Sequence, residues 1–442
     1  MNIVMFTNTY TPHVGGVAHS VEAFTMEYRQ RGHRTLVVAP DFPGMPENET
    51  DVLRIPAIQN FNGSDFSVVL PLSGLLTEKL DAFHPDIIHA HHPYLLGVTA
   101  LRIARYRRLP LVFTHHTRYE EYSHYVPGNC TTLRRFIIEA ATQYANLADR
   151  VIAPSGSIRD LLRERAVTTA IEVVPTGVVL KHFTQGSGKK IRRQLNISPD
   201  SFVVGHLGRL APEKNIEFLA QAVAGFIKTA SNKSKRKPAN SSFYFLVIGT
   251  GPCEQTIRDV FKREGLDAQL HILGVLQQAD LADALAAMDV FAFSSKSETQ
   301  GMVLTEAMAA RVPVVALDAP GVREVVRDRH NGRLLLDESV DNFVEAIAWL
   351  AGQSQQQRQE LKEAARQTAE AFSMPHSADK ALACYASLQS CTTTGWSESE
   401  ELWQSSLKLI KAEWDILKGI GSAASAALDH VDEIKKQRGL PK

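Results

Sequence analysis

Residues 2–39 read NIVMFTNTYTPHVGGVAHSVEAFTMEYRQRGHRTLVVA. Asn2–Thr7 is a short apolar run that suits a buried strand, and Thr9–Gly16 (TYTPHVGG) is rich in turn formers. Ala18–Arg31 places Val21, Phe24 and Tyr28 on one helical face and stops at Gly32, after which Thr35–Ala39 is again apolar. Strand, glycine-bearing loop, helix, strand is the opening of a doubly wound parallel sheet.

The alternation continues along the chain. Asp86–His89 (DIIH) and Leu111–Thr114 (LVFT) read as strands, each followed by a histidine-rich loop. Leu133–Asp149 reads as an amphipathic helix, and Arg150–Ala153 and Ile171–Val174 as further strands. Pro175–Phe183 is punctuated by Gly and Pro and starts a linker. A second series then begins, with strands predicted at Phe202–Gly208, Phe243–Gly249, Leu270–Leu273, Val290–Ser294 and Val312–Ala316. Helices are predicted between them at Asn215–Phe226, Glu254–Glu264, Asp280–Ala287 and Val303–Ala310. Phe343–Phe372 reads as one helical stretch and Ser377–Leu388 as one more helix. Ser231–Ser242 (SNKSKRKPANSS) is a polar, basic surface insert, and Glu400–Leu428 carries Trp403, Leu407, Ile410, Trp414 and Leu417 at helical spacing.

A length of 442 residues predicts two domains rather than one. Lys plus Arg and Asp plus Glu are equal at 48 each, so nothing favours a nucleic-acid partner. The cysteines Cys130, Cys253, Cys384 and Cys391 are scattered, which predicts neither a zinc site nor a disulfide framework and fits a reducing cytosol. The N-terminus does not read as a signal peptide, and no apolar run approaches the roughly 20 residues of a spanning helix.

The loops at strand ends carry the candidate chemistry. Gly15 and Gly16 precede the first helix, where free N–H groups suit a phosphate; an ordinary tight loop fits them equally well. Gly208–Asn215 (GRLAPEKN) puts Arg209 and Lys214 between a strand end and a helix, where two cations can hold a diphosphate; a pair of solvated surface charges is the competing reading, which the strand-end location disfavours. Ser294–Ala309 (SSKSETQGMVLTEAMA) places Glu298 in a loop and Glu306 in the following helix, with Gln300, Gly301, Met302 and Val303 supplying amides at the helix start. Glu306 suits the two hydroxyls of a ribose, Glu298 suits sugar hydroxyls, and the amides suit phosphate. Two solvated glutamates on an exposed helix is the competing reading, and the small and apolar neighbours fit it poorly. His89, His91, His92, His115 and His116 lie on strand-end loops and lack the helical H-x-x-x-H spacing of a metal site, so a hydrogen bond from histidine to a sugar is preferred to a metal cluster.

Together, GG-V, G-R-L-x-x-E-K-N and the E-x7-E block of SETQGMVLTEAMA resemble glycosyltransferase family 4, over roughly residues 1–390. The resemblance implies an α/β GT-B fold: two Rossmann-like doubly wound domains facing a central cleft, here with a C-terminal helical extension. The expected bounds are an acceptor domain over 1–178 completed by a returning helix over 373–390, a donor domain over 179–372, and an extension over 391–442. It also implies that Gly16 lies by the donor pyrophosphate, Arg209 and Lys214 bind the diphosphate, and Glu306 holds the ribose. Glu298 would lie near the sugar hydroxyls, and His116 would contact the sugar near the reacting carbon. Retention is implied without a protein nucleophile, metal or tightly bound cofactor, with a nucleotide sugar as substrate. HAHHPYLLG (His89–Gly97), HHTRYEEYSHYVP (His115–Pro127) and the TQG after Glu298 are similar to lipid glycosyltransferases that use UDP-glucose and diacylglycerol. The expected location is therefore cytoplasmic and peripheral to the inner membrane face.

Arg102, Arg105, Arg107, Arg108, Arg134 and Arg135, with Tyr106, Leu133, Phe136 and Ile137, suit either an anionic membrane or plain solvent. The tail helix suits a membrane interface, the core or a second copy of the chain. A glycan or small-metabolite acceptor, a sugar-phosphate epimerase and an inactive scaffold are the competing functions.

Overall fold

Each half of the chain has enough alternating β and α segments to close its own parallel sheet, and each does so in this computed structural model. The structure describes residues 1–13, 15–58, 68–69, 73–118, 131–234 and 242–389. Residues 119–127 of the histidine–tyrosine segment, most of the basic insert, Cys130 and Cys391, and the 391–442 extension lie outside the described residues. Contacts divide the chain into one unit of Met1–Thr176 with Ser377 onward and another of Gly177–His376.

The first unit contains β1 (Asn2–Phe6), β2 (Arg34–Pro40), β3 (Val52–Ile55), β4 (Ala57–Ile58), β5 (Val68–Val69), β6 (Ile87–Ala90), β7 (Leu111–Thr114), β8 (Arg150–Ala153) and β9 (Ile171–Val173). Its helices are α1 (Gly16–Gln30), α2 (Ser73–Phe83), α3 (Leu96–Arg107), α4 (Thr131–Leu147) and α5 (Gly156–Glu164). Seven strands form a parallel sheet in the order β3-β2-β1-β6-β7-β8-β9, and β4 and β5 form a separate antiparallel pair. Ile3, Val4, Met5 and Phe6 are fully buried, as a strand covered on both faces requires. The order reverses between β1 and β6, where Phe6 stands opposite Ala90. The loops after these two strands therefore leave side by side. Asn8 ties them together: its N–H donates to His92 Nδ1 at 3.1 Å, its Nδ2 donates to the Tyr94 carbonyl at 3.1 Å, and its Oδ1 accepts from the Leu96 N–H at 3.2 Å.

In the second unit the strands are β10 (Phe202–Leu207), β11 (Phe243–Ile248), β12 (Leu270–Ile272), β13 (Val290–Phe293), β14 (Val314–Leu317) and β15 (Gly332–Leu335), ordered β12-β11-β10-β13-β14-β15. The helices are α6 (Leu180–Phe183), α7 (Gly188–Gln194), α8 (Ile216–Ser234), α9 (Glu254–Arg263), α10 (Gln278–Ala286), α11 (Met302–Ala309), α12 (Val322–Val325), α13 (Val340–Ala351) and α14 (Gln355–Ala371). Strand residues alternate between two cores. Val203, Leu246, Phe291 and Val314 pack with Leu285, Leu304 and Met308 on one face, while Val204, Phe245, Val290 and Val315 pack with Ile216, Phe226 and Phe343 on the other. Helices thus cover both faces, as doubly wound sheets demand.

Phe343–Phe372 is two helices rather than the single one expected. Gly352 caps α13, and Ser354 restarts the chain with a reciprocal capping box to Gln357. Next to Gly177, the Val178 N–H donates to the Phe372 carbonyl at 2.8 Å and the Met374 N–H to the Val178 carbonyl at 2.9 Å. Gly177 has no room for a side chain, since a Cβ there would stand 2.3 Å from Met374 Cα.

The last described helix, α15 (Met374–Gln389), returns to the first unit from Ser377 onward. Its Tyr385 is fully buried in a directed hydrogen-bond chain. The Tyr28 hydroxyl donates to Tyr385 Oη at 3.2 Å, Tyr385 Oη contacts His89 Nδ1 at 2.7 Å, and His89 Nε2 contacts Thr114 Oγ1 at 2.7 Å. Because Tyr28 supplies its own proton, the Tyr385 proton goes to His89 Nδ1, and His89 donates onward through Nε2. Arg31 pairs with Asp379 on the outside of the same helix. Among the described residues no helix is long and apolar enough to cross a membrane.

Tyr385→Phe removes both the donor to His89 and the acceptor for Tyr28. We expect it to lower the unfolding free energy by about 1–3 kcal/mol in a denaturant melt. An unchanged midpoint would mean that the chain contributes nothing to holding α15.

Candidate functional site

In the second unit the strand order reverses between β10 and β13, with Val204 opposite Val290 and Gly205 opposite Phe291. Ligands of such sheets bind outside the strand C-termini at this reversal. The two loops that leave there hold Gly208–Asn215 and Ser294–Gly301, the two stretches singled out from the sequence. They are stitched together. Ser294 Oγ donates to the carbonyls of Lys214 (2.9 Å) and Asn215 (3.1 Å), Ser297 Oγ to that of Glu213 (3.2 Å), and Lys214 Nζ to Glu298 Oε1 (2.6 Å). Lys214 and Glu298 are 21% and 14% exposed, so their charges pair largely out of water. Arg209 is exposed on the same loop.

Glycines let neighbouring loops press onto this site. A Cβ at Gly249 (φ +129°) would lie 1.9 Å from the Gly208 carbonyl oxygen. The loop after β11 also accepts the Leu210 N–H at the Thr250 carbonyl (2.9 Å) and donates the Cys253 N–H to the Leu210 carbonyl (2.8 Å). Gly321 (φ +79°) backs the other loop, because a Cβ there would stand 2.6 Å from Gln300 Cα. Gln300 is buried, Gly301 caps α11 in the left-handed region, and Met302 and Val303 open the helix. Its first turn has N–H groups with no partner inside the helix, a setting that favours an anion. Glu306 is half-buried about one turn further in.

Sequence reasoning missed His206, a lone histidine in the apolar strand β10. Its Nδ1 lies 3.1 Å from the Ala292 carbonyl, which can only accept, so Nδ1 carries the proton. Nε2 is buried without a hydrogen-bond partner, about where a Cβ at Gly208 would approach it to 3.6 Å. Burial lowers its pKa to about 4. Asn215, which ends the GRLAPEKN stretch and was given no role from the sequence, has φ +56° and donates through Nδ2 to Glu338 at 2.7 Å, and Lys296 pairs with the same carboxylate.

In the first unit Gly15 and Gly16 begin α1, and a Cβ at Gly16 would meet no atom within 4 Å. The histidines gather at the ends of β6 and β7. His91 Nδ1 and His116 Nε2 are 2.9 Å apart, and His91 Nε2 is 3.2 Å from Met5 Sδ. A thioether only accepts, so His91 donates through Nε2 and accepts through Nδ1, and His116 donates to it through Nε2. Burial depresses all of these imidazoles: His89 and His92 to about 3, and His91 and His116 well below the usual histidine range. The cluster is neutral at pH 7, held in fixed tautomers by its partners. Among the described residues no group of three or more His, Cys, Asp or Glu is placed to hold a metal ion.

Of the arginines read as a docking face, Arg105 pairs with Asp149 at 3.2 Å and Arg107 with Asp81 at 2.6 Å. Arg134, Arg135 and Tyr106 are exposed.

These depressed values fix a pH dependence. Unfolded histidine titrates near 6.5, so between that pH and the folded values the unfolded chain binds protons that the folded chain refuses. Stability is full above pH 6.5 and falls as the pH drops toward 4, by about 1.4 kcal/mol per pH unit for each such histidine. Urea melts at pH 6 and pH 5 should show this slope, and His89→Gln should reduce it by about one histidine's share. A slope identical to the wild type would mean that His89 is protonated in the folded protein.

The family model described as Glycosyltransferase Family 4 matches residues 14–182, and that described as Glycosyl transferases group 1 matches residues 187–368. The chain is 28% identical over 344 residues, 76% of each chain, to an alpha-monoglucosyldiacylglycerol synthase of Streptococcus pneumoniae. It is 30% identical over 351 residues, 78% of this chain and 86% of the relative, to a GDP-mannose-dependent alpha-mannosyltransferase of Mycolicibacterium smegmatis. The Anabaena protein Alr3699/HepE, solved with UDP and glucose, shares the fold with a TM-score of 0.68 at 22% identity, covering 88% of this chain and all of that one. With two doubly wound units of GT-B type and both halves matched, the chain is a hexosyltransferase belonging to glycosyltransferase family 4.

Proposed function

We propose that the protein transfers glucose from UDP-glucose to a hydroxyl of a membrane lipid of the diacylglycerol type, with retention of configuration. The observation that carries the donor half is the meeting of Lys214 and Glu298 at the reversal between β10 and β13, with Glu306 about one turn into α11. Lys214 and Arg209 match the charge of a diphosphate and stabilise it as it leaves. Glu306 accepts the ribose hydroxyls, Glu298 accepts sugar hydroxyls, and the amides of Gln300–Val303 line the sugar and phosphate. Gly15 and Gly16, at the start of α1 in the first unit, are candidate contacts of the donor pyrophosphate. His116, donating to His91 through Nε2, is the candidate partner of the transferring sugar. The leaving phosphate itself takes the acceptor proton, so no protein nucleophile is needed.

The lipid acceptor is supported by the likeness to the Streptococcus pneumoniae synthase. Peripheral docking on an anionic inner leaflet would draw on the arginine-rich patch that includes Arg102, Arg134, Arg135 and the exposed Tyr106. A second reading is mannose transfer from GDP-mannose, favoured by the higher identity to the Mycolicibacterium smegmatis enzyme.

Labelled UDP-glucose and GDP-mannose, each offered with diacylglycerol in anionic vesicles and with soluble acceptors, decide between these. A glucosylated lipid with the donor's anomeric configuration is expected. Label found only in soluble products sinks the lipid acceptor, and transfer from GDP-mannose alone selects the second reading. Arg209→Ala should lose on the order of 10²-fold in kcat, a larger effect on turnover than on folding, since its proposed partner is a ligand phosphate. Wild-type turnover in that variant would remove Arg209 from the site.

A further inference from the structure

The donor-site reading gives Lys214 and Glu298 to different parts of one ligand, yet in the protein by itself they hold each other at 2.6 Å. The loops bearing them cannot drift apart cheaply, because Ser294 and Ser297 fasten the Glu298 loop to the carbonyls of Glu213, Lys214 and Asn215. Lys296, the cation of the Glu298 loop itself, is taken by Glu338, which also holds Asn215. Any diphosphate that recruits Lys214 must therefore share it with a largely buried carboxylate that also repels phosphate.

We propose that the Lys214–Glu298 pair makes the site discriminate between a sugar-bearing and a bare nucleoside diphosphate, and so drives release of the diphosphate product. This rests on the donor-site reading above. When the sugar is present, its hydroxyls donate to Glu298 and compensate the carboxylate for the loss of Lys214. Once the sugar has been transferred, those hydroxyls leave with the acceptor. Among the described residues Glu298 then has only Lys214 as its side-chain donor, takes it back, and weakens the hold on the remaining phosphates. Glu298 thus favours the substrate complex and also opposes the product complex, whereas a sugar contact alone does only the first.

Calorimetric titration of the full chain with UDP and with UDP-glucose tests this, with GDP and GDP-mannose run in parallel. Glu298→Gln removes the charge and keeps the shape. It should bind the bare diphosphate about five- to ten-fold more tightly than the wild type and the nucleotide sugar no more tightly. In a Lys214→Ala background most of that gain should vanish, which separates recapture of the lysine from simple repulsion. If Glu298→Gln fails to fold, Glu298→Ala carries the same expectation. Unchanged or weaker binding of the bare diphosphate by a folded variant, or an equal gain without Lys214, overturns the inference and leaves the donor site standing. Failure of the wild type to bind any of these nucleotides overturns the donor-site reading and this inference with it.

Discussion

A parallel sheet whose strand order reverses has one place where two adjacent strands send their loops off in opposite directions along the sheet. That constraint governs each half of this protein. At β10 and β13 the reversal leaves the ends of neighbouring strands uncovered by their own crossover helices, and the sequence fills the spot with groups that bond across it. The same geometry at β1 and β6 collects Asn8, His91 and His92. Each collection draws on loops far apart in sequence, which the winding of the sheet brings together.

The two collections use opposite electrostatics. At β10 and β13 a lysine and a carboxylate keep their charges and neutralise each other, a state that a charged ligand can exchange into. At β6 and β7 burial removes charge from the imidazoles, leaving directional donors and acceptors. A neutral, oriented ring suits the hydroxyls of a sugar, and a paired ammonium suits a phosphate.

Much of this was legible in the sequence because parallel strands buried on both faces read as unbroken apolar runs, as in Val290–Phe293 and Leu111–Thr114. The placement of Lys214, Glu298 and Glu306 relative to strand and helix ends was equally readable. β3 was not, since Val52–Ile55 is only four residues and contains an arginine. Nor was α3, which starts after Leu95 at φ +54° without a capping side chain. The break at Gly352–Ser354 was hidden by a Gln- and Glu-rich pattern that suits helix throughout, and only the capping box reveals it. His206 escaped because a lone polar residue in an apolar strand carries no periodic signal. Gly249 and Gly321 act through close approach of distant backbone, which no local pattern encodes.

The contact of Tyr385 with His89 has a consequence for the order in which the chain acquires its structure. Gly177–His376 is continuous, so that unit has been synthesised in full once residue 376 has been added. The amino-terminal sheet is synthesised first, but Tyr28 and His89 must wait for Tyr385 before their hydrogen bonds are satisfied. The half that is translated first is therefore the half completed last. Until then, a nascent chain carries the buried face meant for α15 exposed to its surroundings.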